Sequence, residues 1–150
     1  MSGSLVDTNV VSELRRPRCD PRVRAWAHVQ PPTSLYLSTV TLAEVRYGID
    51  RADDPAVRVE LRSWLDGVLR PWFADRVLPV DEEVILRWRH LLALGRSRGH
   101  TFAQPDLFIA ATADLHGLTV VTRNTRDFAA AGVPTLDPWA GPTPARPSSA

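Results

Sequence analysis

The chain contains no lysine, and all 18 of its basic residues are arginine. Because its formal net charge is only +1, the chain is not a general polycation of the kind that binds nucleic acid through bulk charge. An arginine side chain still offers planar, paired donors to a phosphate group. We therefore expect any phosphate recognition to depend on individual arginines at a site.

A single cysteine, Cys19, leaves no partner for an internal disulfide, which fits a reducing compartment. No apolar run reaches the roughly 20 residues that span a bilayer, and the N-terminus lacks the pattern of a signal peptide. The four histidines have no paired zinc spacing, and no glycine-rich phosphate loop occurs. We expect a cytoplasmic protein that does not bind membranes.

Short β-type runs alternate with longer helical patterns, which indicates an α/β domain with a central parallel sheet of about five strands. Residues 95–100 are expected to be a basic loop. Residues 1–139 form the predicted domain, and the Pro- and Ser-rich residues 140–150 are expected to be a disordered tail. The predicted strands begin near Ser4, Leu35, Val77, Leu118 and Val133.

Four acidic residues follow apolar runs or open predicted helices. Asp7 comes directly after the first strand, and Asp127 lies shortly after the strongest strand. Glu44 and Asp106 lie near the starts of helices. Ligands of an open parallel sheet bind beyond the carboxyl ends of its strands, so we expect these four carboxylates to meet at one edge.

Some of these acids also have a purely structural explanation. Thr41 and Glu44 have the spacing of a capping box, with Thr41 as the N-cap. The helix dipole favours an acid such as Asp106 in a first turn. Four clustered carboxylates, however, resist ionisation unless a cation neutralises them. Together they favour a site for Mg²⁺ or Mn²⁺, and hydrolysis of a phosphodiester by a metal-activated water.

Four segments, in this order and spacing, resemble the PIN-domain ribonucleases of the VapC and FitB-like branch, which are toxins of type II toxin–antitoxin systems. The resemblance implies a three-layer α/β/α sandwich and a Mg²⁺-dependent endoribonuclease that cuts RNA such as tRNA or rRNA. It also implies neutralisation by a VapB-like antitoxin, a homodimer, and contact with operator DNA only through the antitoxin. The segments are residues 5–13, 37–48, 105–113 and 122–128.

The same resemblance implies roles for individual residues. Asp7 and Asp106 correspond to direct metal ligands, and Glu44 acts directly or through water. The fourth acid is Asp127, with Asn124 as its orienting neighbour, although some relatives carry their acid at the position of Asn124. Supporting residues around the acids are Thr8, Asn9 and Thr122. Independently of the resemblance, arginines that could hold substrate phosphates, or that are only solvated surface residues, are Arg46, Arg96, Arg98, Arg123 and Arg126.

Two other functions stay open at this point. A FitB-like regulatory subunit would bind operator DNA together with its antitoxin, which would supply most base contacts, since this chain has no helix-turn-helix signal. A metal-dependent DNA nuclease or phosphatase would use the same acids. Cleavage of RNA, DNA and a small phosphoester under the same conditions separates these functions.

Overall fold

A five-stranded sheet lies at the centre of the computed structural model, which describes residues 3–142. Numbered in chain order, its strands are β1 (Ser4–Val6), β2 (Leu35–Ser38), β3 (Val77–Leu78), β4 (Thr119–Val121) and β5 (Thr135–Leu136). They lie in the order β3-β2-β1-β4-β5, and all neighbours are parallel. The strand order therefore reverses beside the central strand β1, which confirms the predicted class of sheet.

Helices connect each strand to the next along the chain. They are α1 (Thr8–Arg15), α2 (Pro21–Val29), α3 (Thr39–Asp50), α4 (Pro55–Trp64), α5 (Arg70–Phe73), α6 (Glu82–Ser97), α7 (Gln104–His116) and α8 (Thr125–Ala130). A π-helical turn, Leu65–Leu69, joins α4 to α5 without a break. Two 3₁₀ turns, Pro32–Ser34 and Pro138–Ala140, complete the regular structure of the described residues.

Side chains alternate across the sheet and form two apolar cores. On β1, Leu5 faces one core and Val6 faces the other, and Val120 and Val121 divide in the same way on β4. The first core packs against α6, α7 and α8, and the second packs against helices α1 to α5. Because helices cover both faces, the fold is the predicted three-layer α/β/α sandwich.

Two local predictions were wrong. The N-cap of α3 is Ser38, whose hydroxyl accepts a hydrogen bond from the backbone N–H of Val40 at 3.0 Å. The helix begins directly after the strand, so Thr41 lies inside its first turn, and its buried hydroxyl has no partner within residues 3–142. The predicted basic loop begins later than expected, because α6 continues to Ser97. Arg96 is therefore a helical residue.

The chain returns to the domain body near its C-terminus. Trp139 lies in the last 3₁₀ turn and is only 8% exposed, packed against the second core. Of the predicted disordered tail, residues 143–150 lie outside the described residues, so that prediction is not tested. No helix within residues 3–142 has both the length and the apolar character needed to cross a membrane.

Candidate active site

Asp7 lies at the carboxyl end of β1, beside the point where the strand order reverses. Its backbone N–H donates to the carbonyl of Val121 on β4 at 2.9 Å, and its Oδ1 caps α1 by accepting from the N–H of Thr8 at 2.8 Å. The residue is 4% exposed. Burial raises the pKa of Asp7, although hydrogen bonds from Thr122 and Thr8 oppose that rise. A nearby cation would favour its charged form.

Thr122 and Asn9 hold the second oxygen of Asp7. The fully buried hydroxyl of Thr122 donates to Asp7 Oδ2 at 2.8 Å, and Asn9 Nδ2 lies 3.3 Å from the same oxygen. Thr122 Oγ1 also accepts from the backbone N–H of Asn124 at 2.9 Å. The predicted supporting residues Thr8, Asn9 and Thr122 therefore all contact Asp7, and they join the ends of β1 and β4.

Asn124 joins two further acids. Its Nδ2 donates to Asp127 Oδ2 at 2.8 Å and reaches Asp106 Oδ2 at 3.3 Å. Asp106 lies in the first turn of α7, and Asp127 lies in the first turn of α8. The sequence left Asn124 and Asp127 as alternatives for the fourth position. In the structure both belong to the cluster, with the amide of Asn124 between two carboxylates.

The pKa of Asp106 shows that the predicted acids share one electrostatic environment. It is raised first by burial and then by the negative charges of Asp7 and Asp127, with a smaller effect from Glu44. The amide of Asn124 acts in the opposite direction by donating to the carboxylate. Three acids from other segments of the chain therefore influence the carboxyl group of Asp106, as expected where parallel strands end together.

A cleft of about 360 Å³ opens over three of these acids. No three acidic, histidine or cysteine side chains of residues 3–142 are arranged so that they could enclose a metal ion by themselves. The oxygen donors nevertheless suit Mg²⁺, because that ion keeps several waters and needs few direct carboxylate ligands. The lining of this acidic cleft consists of Asp7, Thr8, Asn9, Glu44, Ala103, Pro105, Asp106 and Ile109.

The five arginines predicted to hold the substrate are absent from that lining, within the part of the chain that is described. Arg123 is anchored at the rim: its backbone N–H donates to Asn9 Oδ1 at 3.2 Å, and its guanidinium lies 4.9 Å from the centre of the Trp139 ring. The role of all five in substrate binding stays a prediction. The other four, which are all exposed, are Arg46, Arg96, Arg98 and Arg126.

A second groove joins the acidic cleft and involves residues that the sequence interpretation missed. Thr8 and Glu44 line both, and the groove then runs between α1 and α3 to the end of α4. Thr8, Ser12 and Arg15 recur at intervals of four and three residues, so their common face on α1 could have been found from helical spacing. The other lining residues are Val45, Gly48, Ile49, Leu61 and Trp64.

Comparison with known proteins identifies the family. The model of the PIN domain matches residues 4–133, so the chain belongs to the PIN-domain family. It is similar to the VapC ribonuclease Y4jK of Sinorhizobium fredii, with 38% identity over 90% of this chain and 96% of that protein. It is also similar to toxin FitB of Neisseria gonorrhoeae, with 39% identity over 90% of this chain and 97% of FitB.

A solved structure supports the same assignment. The structure of FitAB bound to the IR36 DNA fragment contains a chain that is 38% identical to this one and superposes with a TM-score of 0.86. The superposition covers 91% of this chain and 95% of the other. The central sheet and its two helical layers therefore follow the architecture of this family.

Proposed function

We propose that this protein is the toxin of a type II toxin–antitoxin system and that it is a Mg²⁺-dependent endoribonuclease, with Mn²⁺ as an alternative ion. The observation that carries the proposal is that Asp7, Glu44 and Asp106 line one cleft, while the amide of Asn124 joins Asp106 to Asp127. Similarity to a VapC ribonuclease supports RNA as the substrate. The substrate is tRNA or rRNA, and the protein acts in the cytoplasm, where both occur.

In this proposal, Asp7 and Asp106 hold the cation directly, while Glu44 and Asp127 act through water. When bound, the cation neutralises charge on the phosphodiester and acidifies the attacking water. The buried hydroxyl of Thr122 orients Asp7 and favours its ionised form by donating to its Oδ2. Glu44 is exposed at the mouth of the cleft, where its carboxylate can orient the attacking water.

The test is cleavage of purified tRNA and rRNA by the full chain with Mg²⁺, with Mn²⁺, or with excess EDTA. We expect cleavage only with a metal, and a loss of about 100-fold or more in Asp7→Asn, because a charged ligand becomes neutral. Asp75→Asn is the matched control, since its side chain is 94% exposed and lies on another part of the surface. Undiminished cleavage by Asp7→Asn would refute the assigned role.

We also propose that a VapB-like antitoxin neutralises this protein and that the protein forms a homodimer. The similarity to a FitAB chain supports an assembly with a second protein. Exposed apolar side chains on α4 and α6, such as Val59 (69% exposed) and Leu86 (48% exposed), offer surface for such contacts. Expression should stop growth, and co-expression of the protein encoded immediately upstream should restore it. Light scattering gives the oligomeric state.

The second candidate function is regulation through operator DNA, which is favoured by the DNA-bound FitAB structure. In that case the complex with the antitoxin, and not the isolated chain, would bind the operator in a mobility-shift assay. A DNA nuclease or phosphatase is the third candidate. Equal or faster hydrolysis of DNA or p-nitrophenyl phosphate than of RNA would favour it over the ribonuclease.

A further inference from the structure

The groove between α1 and α3 is continuous with the acidic cleft, because Thr8 and Glu44 line both. A nucleic acid whose phosphodiester lies in the cleft would therefore bring a flanking nucleotide to the mouth of the groove. The groove has a volume of about 210 Å³. That volume is below the range of pockets for drug-sized ligands and suits a single ring system.

The lining combines apolar side chains with four polar ones, of which Thr8 and Glu44 are shared with the acidic cleft and Ser12 and Arg15 are not. Val45, Ile49 and Leu61 supply aliphatic surface, and the half-buried Trp64 supplies an aromatic ring. Across residues 3–142, no hydrogen bond or ion pair involves the side chain of Ser12 or Arg15. Both are exposed at the rim and available to a ligand. A pocket that joins aliphatic and aromatic surface to a few polar groups is typical of a site for a small ligand.

We propose that this groove is a nucleobase subsite, which receives the base beside the scissile phosphate and favours guanine. The inference rests on the proposed ribonuclease function. Trp64 provides a surface against which an unstacked base can pack. The guanidinium of Arg15 offers two parallel donors, which match the O6 and N7 acceptors of guanine. The hydroxyl of Ser12, which can donate or accept, adds a second polar contact.

Gly48 permits a direct test of occupancy. It lines the groove, and a Cβ added there would meet no atom within 4 Å. Gly48→Leu therefore adds bulk to the lining of the groove, and the first atom of its side chain meets no neighbour among residues 3–142. Gly67 is equally open but does not line the groove, so Gly67→Leu is the matched control.

The activity experiment uses an RNA with randomised nucleotides around a cleavage site, and sequencing of the product ends. We expect the unmodified protein to prefer guanine at one position beside the cut. Arg15→Gln should weaken that preference by about tenfold, the usual contribution of a bidentate contact. Arg16→Gln removes the same charge from the neighbouring position and should keep the preference. Gly48→Leu should abolish the preference, and Gly67→Leu should not.

A second measurement does not depend on turnover. RNA carrying 6-thioguanosine is irradiated with the cleavage-impaired Asp7→Asn protein, and crosslinked peptides are identified by mass spectrometry. Crosslinks from one nucleotide to the peptide containing Trp64 are expected, and Gly48→Leu should suppress them. Their absence, with crosslinks elsewhere, would overturn the subsite whatever the activity.

The remaining outcomes separate this inference from the function on which it rests. Cleavage with an unaltered base profile in Arg15→Gln, or a uniform loss at all sequences, would overturn the subsite and leave the ribonuclease proposal intact. Variants that change only binding of the antitoxin would show that the groove is a protein-binding site instead. A metal-loaded protein that cleaves no RNA would refute the proposed function itself.

Discussion

Thr122 is the residue whose substitution tests the design of the site most directly. Its hydroxyl is fully buried, donates to Asp7 Oδ2 at 2.8 Å and accepts from the N–H of Asn124 at 2.9 Å. Thr122→Val replaces that hydroxyl with a methyl group of similar size, so no cavity is created. The variant therefore removes both of these hydrogen bonds and a longer one, 3.3 Å, that Asn9 Nδ2 donates to the same hydroxyl, and it leaves the apolar packing in place.

The expected loss follows mainly from the two shorter bonds, which join Thr122 to Asp7 and to the N–H of Asn124. A hydrogen bond to a charged group contributes about 1.5–3 kcal/mol, and an unpaired buried N–H costs about 1–3 kcal/mol. Asn124 is only half-buried, so water compensates in part, and we expect a total loss of about 2–4 kcal/mol at pH 7. The bond to Asp7 stabilises the ionised form. The loss should therefore shrink as the pH falls and Asp7 becomes protonated.

The measurement is urea unfolding of the metal-free protein at pH 7 and pH 4, followed by tryptophan fluorescence. Thr119→Val is the control, because it makes the same change on the strand that leads to Thr122, at a side chain without a hydrogen bond in the described chain. RNA cleavage by Thr122→Val should fall by about 10- to 100-fold, since Asp7 loses its orienting partner. A free energy of unfolding equal to that of the control would refute the reasoning.

Three further predictions concern charge and packing. Asn124→Asp replaces a donor by a fifth acidic side chain, so calorimetry should show tighter Mg²⁺ binding, and the melting temperature in EDTA should fall by about 5 °C; unchanged affinity would contradict this. The pKa of Asp106 is raised in the folded state, so folding favours its protonated form. The contribution of that form to the free energy of unfolding is lost as the pH rises. Metal-free Asp106→Asn should therefore melt above the unmodified protein at pH 7, and the difference should vanish below about pH 4. Gly95→Ala places a Cβ 2.5 Å from the Phe102 ring and should cost about 1–3 kcal/mol in urea unfolding, whereas Gly48→Ala should not destabilise.

The sheet and the principal acids could be predicted because local patterns define them. Asp7 follows a short apolar strand, and Thr122 follows the strongest β-type run. Both residues therefore lie at the carboxyl end of a strand. Parallel pairing then brings those ends together. The sequence pattern did not reveal the order of the strands across the sheet. β1 lies between β2 and β4, and that arrangement brings Asp7 Oδ2 to 2.8 Å from the hydroxyl of Thr122.

Other predictions failed or stay untested because several residues compete for one role. Ser38 and Thr41 can both cap a helix, and the choice depends on how directly β2 turns into α3. The contacts of long arginine side chains depend on the tertiary structure, and spacing in the sequence does not reveal them. The guanidinium of Arg123, for example, packs on the ring of Trp139. Arg123 follows β4, whereas Trp139 lies in the last 3₁₀ turn, 16 residues further along the chain.

The two candidates for the fourth position prove to have different tasks. Asn124 gives its shorter hydrogen bond, 2.8 Å, to Asp127 and its longer one, 3.3 Å, to Asp106. Asp127 is thus the better paired of the two carboxylates. Asp7 accepts hydrogen bonds on both of its oxygens, whereas the pKa of Asp106 is raised by burial and then by three neighbouring acids. A bound cation would therefore stabilise the ionised form of Asp106 more than that of Asp7, which agrees with the proposed role of Asp106 as a direct ligand.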